Sequence, residues 1–360
     1  MSIRPVLWVA PGLLVLVLAA CGEGLRTPAA TPFIPRFAYV ANAGDNTISI
    51  YAVDAATGRL RHVGDATSPN GPSSLAVDPS DRFLYVANDN SDDVSAYVID
   101  SSTGGLTPVG TVATGNRPRS VVVDPSGRFV YVANEDSHDV SSYAIDPSTG
   151  GLTPVGTVAG GVNPRSVTVD PSGRFAYVAD FARTVYAYAI DASTGALTPA
   201  GSAAAGILPV SVTVDPSGRF AYAANFGSGT VSVYAIDMTT GALTPAGTAA
   251  AGDKPRSVAV DPSGRFAYVA NHVSNDISAF AIDASTGALI PVGTVAAGVR
   301  PVSATVDPSG RFAYVTSVTS NDISVYSIDV STGALMPAST TAAGMDPVQL
   351  AMTKERSPVE

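Results

Sequence analysis

From Arg36 onward, short apolar runs alternate with polar or Gly/Pro-containing breaks, and a single arrangement of them repeats. The stretch from Pro255 to Gly298 shows it plainly. Arg256-Ser257-Val258-Ala259-Val260 reads as a short apolar strand. Asp261-Pro262-Ser263-Gly264 then reads as a turn, with Pro pre-setting φ and Gly accepting a positive φ. Phe266 to Ala270 is a second strand, apolar on both faces, as expected of a sheet pressed between two others. Asn271 to Asp276 makes a polar hairpin loop and Ile277 to Ile282 a third strand. After the turn Asp283 to Gly287, Leu289 to Val295 supplies a fourth strand.

The Arg-Phe pair that opens the second strand recurs at Arg36-Phe37, Arg82-Phe83, Arg128-Phe129, Arg174-Phe175, Arg219-Phe220, Arg265-Phe266 and Arg311-Phe312. The steps between them are 46, 46, 46, 45, 46 and 46 residues. A fixed period of roughly 40–50 residues built from strands marks a propeller blade. The pattern therefore predicts an all-β fold over residues 35–352, a seven-bladed β-propeller of four-stranded antiparallel blades. The first repeat begins directly at its second strand, and Asp346 to Met352 aligns with the first strand of the others. The C-terminal strand is thus expected to close the first blade, pairing otherwise open edges. Residues 353–360 are expected to form a disordered tail.

Residues 1–20 stand outside the repeat. Met1 to Arg4 is a short positive start, and Pro5 to Ala20 is an apolar run of 16 residues. That is shorter than the roughly 20 residues of a bilayer-spanning helix, and its flanks suit an export signal. It ends in Leu18-Ala19-Ala20-Cys21, which resembles the lipobox of bacterial lipoproteins. The resemblance implies cleavage before Cys21, lipidation of that residue, and a membrane anchor of more than one acyl chain. The other reading is an ordinary secretory signal with a stray Cys. Cys21 is the sole cysteine, so no intramolecular disulfide forms. The following Gly22, in place of Asp, points in a Gram-negative cell to the outer membrane, and residues 22–34 read as a flexible tether. Formal net charge is −10, and −11 once the +1 of Arg4 is removed. An acidic surface repels phosphate backbones, so nucleic acid is not an expected partner.

The repeated Asp-Pro-Ser-Gly and Asp-x-x-Thr-Gly turns share one face, where near-identity in every repeat suits a structural task. The opposite face carries the start of each first strand and the loop after each second strand. There the repeats diverge, and divergence on a rigid scaffold is where function is expected. After the Pro that opens the first strand stand, in ring order, Val348, Ser73, Arg119, Arg165, Val210, Arg256 and Val302. After the residue that ends the second strand stand Ala43, Asp89, Glu135, Phe181, Phe226, His272 and Val318. Arg119, Arg165 and Arg256, with Glu135, His272, Phe181 and Phe226 around them, make a candidate pocket for a carboxylate or phosphate. The competing reading pairs these arginines with the loop aspartates Asp92, Asp93, Asp136 and Asp253.

The loop Asn88 to Asp93 has oxygen ligands enough for calcium. A solvated hairpin is the preferred reading, because the equivalent loops are polar without such acid density. His62, His138 and His272 fall in separate repeats without metal-ligand spacing. No metal and no cofactor is expected: phosphate loop, nucleophile elbow and dinucleotide fingerprint are all absent.

Tyr39-Val40-Ala41-Asn42, Tyr85-Val86-Ala87-Asn88, Tyr131-Val132-Ala133-Asn134, Tyr268-Val269-Ala270-Asn271 and Tyr314-Val315-Thr316-Ser317 resemble the bacterial Tyr-Val-Thr-Asn propeller repeats. They also resemble the related lactonase family, which includes 6-phosphogluconolactonase and the carboxymuconate cyclases. The enzymatic members show a Pro-Arg-His strand start followed by Asn-Glu after the second strand. Pro118-Arg119-Ser120 with Asn134-Glu135 is similar except that Ser120 stands where the pattern has His. A Ser without a nearby base is a poor general acid or base at neutral pH. The resemblance therefore implies two functions. The preferred one is a lipid-anchored, extracytoplasmic, monomeric scaffold that binds a protein or small anionic ligand without catalysis. The alternative is a lactone hydrolase using Glu135 with Arg119, Arg165 and Arg256.

Overall fold

The computed structural model of the protein describes residues 36–354. The expected signal segment, Cys21, the tether and residues 355–360 of the expected tail lie outside the described residues. Within them, 28 strands form seven separate sheets of four, every pairing antiparallel, and no helix occurs. Six blades are contiguous: Pro72–Ala113, Pro118–Ala159, Pro164–Ala204, Pro209–Ala250, Pro255–Ala296 and Pro301–Ala342 are blades two to seven. Blade one joins three strands of Arg36–Thr67 to the C-terminal strand Pro347–Met352. The expected closure is present: Val40 pairs with Leu350 and Tyr39 with Ala351. Strands are called a to d from the axis outward.

In blade six the strands are Pro255–Val260, Phe266–Asn271, Asp276–Ile282 and Leu289–Ala296. The ladder takes in both ends of the predicted hairpin loop, because Asn271 Nδ2 donates to Asp276 Oδ1 (2.7 Å) and to Ser278 Oγ (2.9 Å). The 45-residue step has a local cause. In blade four three residues, Phe181 to Arg183, link strands b and c, where blade three uses four, Glu135 to His138. Arg183 closes that shorter loop at φ 69°.

Strand b is buried along its whole length in every blade, so its two faces feed two cores. Phe37, Tyr39 and Ala41 pack toward blade two, while Ala38 and Val40 pack toward blade seven. Each core thus belongs to an interface, and no blade buries its apolar surface alone. Hydrogen bonds run with the packing. Tyr39 Oη donates to the Gly104 carbonyl of blade two (3.0 Å), and the same link recurs around the ring to Tyr314 and Gly58 (2.8 Å). The acceptor must be glycine. Gly150 sits at φ +79°, and a Cβ there would lie 2.4 Å from Cδ1 of Phe83 in the preceding blade.

The repeated turn aspartates do the structural work expected of them. Asp78 Oδ1 accepts the backbone N–H of both Arg82 and Phe83, each at 2.7 Å. Blade one lacks that Asp because its strand a comes from the other end of the chain. Thr353 takes its place, with Oγ1 accepting the Phe37 N–H at 2.8 Å. Arg36 forms a 2.6 Å ion pair with Asp307 of blade seven, the two side chains 1% and 0% exposed.

Candidate functional site

Each strand a opens with a β-bulge at the residue after its Pro. In blade three Pro118 pairs with Asn134 and Ser120 with Ala133, so Arg119 is left out of the ladder. The same irregularity frees Arg165, Val210, Arg256, Val302, Ser73 and Val348. A bulge bends its strand and re-aims the extra side chain. Here it presents one side chain per blade to the channel mouth, around a cavity of about 200 Å³.

The following residue is Ser in six blades and Gln349 in blade one, and it holds neighbouring blades together. Ser74 Oγ accepts the Val121 N–H (3.0 Å), Ser120 Oγ that of Val167 (3.2 Å), and Gln349 Oε1 that of Leu75 (3.0 Å). Ser120, in the place of the family's His, therefore serves as a link between blades three and four and forms part of the cavity floor.

Arg119, Arg165 and Arg256 all line this cavity, as expected, and their electrostatic situations differ. Arg119 Nε donates to Glu135 Oε2 (2.5 Å) and its Nη1 pairs with Asp89 Oδ2 of blade two (2.6 Å). Arg165 Nη2 pairs with Glu135 Oε1 at 2.6 Å, and its guanidinium lies 4.6 Å from the ring centre of Phe181. Glu135 is consequently clamped through both oxygens. It is 4% exposed and sits behind the two arginines, away from the cavity wall. Burial pushes the Asp89 carboxyl up against the pull of Arg119, and burial pushes the Arg165 guanidinium down against the pull of Glu135.

Arg256 is different. Among the described residues no carboxylate pairs with it. It is the most exposed of the three, its side chain open to the channel while Arg119 and Arg165 are half-buried. Desolvation first, then repulsion from Arg165 and Arg119, lowers its pKa to about 10. It remains a cation at neutral pH, with its charge unanswered. His272 and Phe226 form a layer beside it, outside the cavity wall, with ring centres 6.0 Å apart and Lys254 Nζ 5.3 Å from the Phe226 centroid. His272 Nδ1 donates to the Pro301 carbonyl (3.3 Å). Its pKa lies below 6.5, through burial first and Arg256 second.

None of the aspartates Asp92, Asp93, Asp136 and Asp253 pairs with these three arginines, and the first three are engaged elsewhere. Asp92 accepts the Arg117 N–H (2.8 Å), Asp93 accepts from Asn88 Nδ2 (2.7 Å), and Asp136 lies 3.4 Å from Arg117. The partner that is used, Asp89, comes from the loop considered for calcium. With Asp89, Asp92 and Asp93 each bound within the protein, the loop is a hydrogen-bonded hairpin. No cluster of metal-ligating side chains exists among the described residues. Arg117, held at φ 54°, also reaches Glu135 (3.8 Å). Its place in the Arg117-Pro118-Arg119 triplet was the one signal that could have marked it.

The family model for the lactonase seven-bladed β-propeller matches the chain at residues 34–116, 70–166, 159–260 and 248–352. No curated protein sequence matches. Among solved structures, a candidate 6-phosphogluconolactonase of Bacteroides fragilis superposes with a TM-score of 0.81 at 22% identity, covering 91% of this chain and 99% of that one. A periplasmic gluconolactonase of Pseudomonas aeruginosa gives 0.76 at 24% identity, over 90% and 100%. Hydrazine synthase of Kuenenia stuttgartiensis gives 0.63 at 19%, over 86% and 100%. At such identities the likeness speaks for the fold, which carries differently named activities in these proteins.

Proposed function

The chain belongs to the seven-bladed β-propeller lactonase family, and from that premise we propose that it is a lipid-anchored, extracytoplasmic propeller that binds a small anionic ligand at its channel mouth. Arg256 carries the reading: an exposed guanidinium without a carboxylate partner, open to a cavity lined by two further arginines. Charge-assisted bonds from such a group to a carboxylate or phosphate are stronger than neutral ones. Two observations argue against catalysis of the family's kind. The position of its His is occupied by Ser120, whose hydroxyl accepts a backbone N–H. Glu135 is clamped by Arg119 and Arg165 behind the cavity wall, so a proton transfer to it requires an ion pair to open.

Calorimetric titration of the mature protein with acetate and inorganic phosphate is expected to show binding that Arg256→Gln removes. Binding that survives this substitution would place the site elsewhere. The anchor rests on the apolar run 5–20 and Cys21. Detergent-phase partitioning is expected to be lost in Cys21→Ser, and its persistence there would refute lipidation.

Lactone hydrolysis is the second reading, favoured by Glu135 seated between two arginines in a family named for that activity. Turnover of 6-phosphogluconolactone or aryl lactones that disappears in Glu135→Gln would overturn the binding-only reading.

A further inference from the structure

The charge of the mouth is distributed unevenly around the ring. Arg119 and Arg165, on adjacent blades three and four, are answered by Asp89 and Glu135. Arg256, on blade six, stands between Val210 of blade five and Val302 of blade seven at the equivalent bulge positions, with Val348 of blade one next in order. All three valines line the cavity with it, and Val302 and Val348 lie across the axis from Arg119 and Arg165. The unanswered cation is thus set in an apolar arc.

That arc discriminates between kinds of anion. A sugar acid enters with several hydroxyls, and each one that loses water without finding a partner is a net cost. Valine methyl groups offer no partner, and the hydroxyls that could serve are those of the serines one residue further along each strand, such as Ser257 and Ser303. A hydrocarbon body gains along the valines instead, by roughly 0.8 kcal/mol for each buried methylene. Beneath Arg256, Ser257 Oγ accepts the Ala304 N–H (3.2 Å) and keeps its own proton to donate.

We infer that the anion held at Arg256 is a small aliphatic carboxylate, its head on the guanidinium and its hydrocarbon body along Val302 and Val348, and that it is preferred to a sugar acid. The inference rests on the anion-binding reading above and names the ligand class of that site.

The test is calorimetric titration of the mature protein with acetate, hexanoate and gluconate, with melting curves confirming that each variant folds. Hexanoate is expected to bind about tenfold tighter than either acetate or gluconate. Arg256→Gln is expected to abolish binding of all three. Val348→Asn, at a half-buried position, is expected to bring the hexanoate-to-acetate affinity ratio toward one, and Val302→Thr to lower it. Gluconate binding as tightly as hexanoate, and still lost in Arg256→Gln, would overturn the ligand class and leave anion binding intact. A hexanoate advantage that survives both valine substitutions would overturn the placement. Failure of all three anions to bind would sink this inference together with the reading beneath it.

Discussion

Arg119, Arg165 and Arg256 occupy equivalent bulge positions, yet their neighbours give them different chemistry. The first two spend their charge on Asp89 and Glu135, and the third does not. The effect reaches His272, whose neutral form is favoured by burial and then by Arg256. As pH falls through 6.5, the unfolded chain takes up a proton that the folded one refuses, so this group opposes folding on the acid side. An NMR titration of His272 is expected to give a midpoint below 6.5, and Arg256→Gln to move it upward. A midpoint unmoved by that substitution would show that the two side chains do not interact. The sequence marked these residues as a set, because they fall at one offset in the repeat. It did not reveal that Asp89 neutralises Arg119, since that pair spans a blade boundary and 30 residues.

At the scale of the strand, the blades are made alike by their contacts with each other. Strand c carries a tyrosine whose Oη donates to the last carbonyl of the preceding blade's outer strand. Tyr234 reaches Ala204 (2.9 Å) and Tyr326 reaches Ala296 (2.7 Å). Blade six has Phe280 at this position, so the link to blade five is missing although the ring still packs in the shared core. By equivalence with Tyr234 and Tyr326, Phe280→Tyr is expected to bring a hydroxyl to the Ala250 carbonyl. It is expected to stabilise the domain by about 1 kcal/mol. A lowered melting temperature would show that the interface has no room for the added oxygen. Strand boundaries were legible from turn chemistry and apolar runs. The bulges were not, because nothing in Pro-Arg-Ser distinguishes a residue in the ladder from one pushed out of it.

For the whole molecule, closure is the controlling event. The strand Pro347–Met352 pairs with Arg36–Asn42, Leu350 enters the core shared by blades one and seven, and Arg36 is locked to Asp307. Every core lies between two blades, so opening one interface exposes two apolar sheet faces at once. A protein lacking residues 347–360 is expected to lose its cooperative melting transition. An unchanged transition in that truncation would refute the role given to closure. The blade count, strand order and interlocked ends followed from the sequence alone, because periodicity and turn residues act locally and repeat seven times. Which of three equivalent arginines keeps a free charge, and that it stands among valines, was decided only in the closed ring. Ring closure brings residues from different repeats to one axis, and no local pattern records who their neighbours will be.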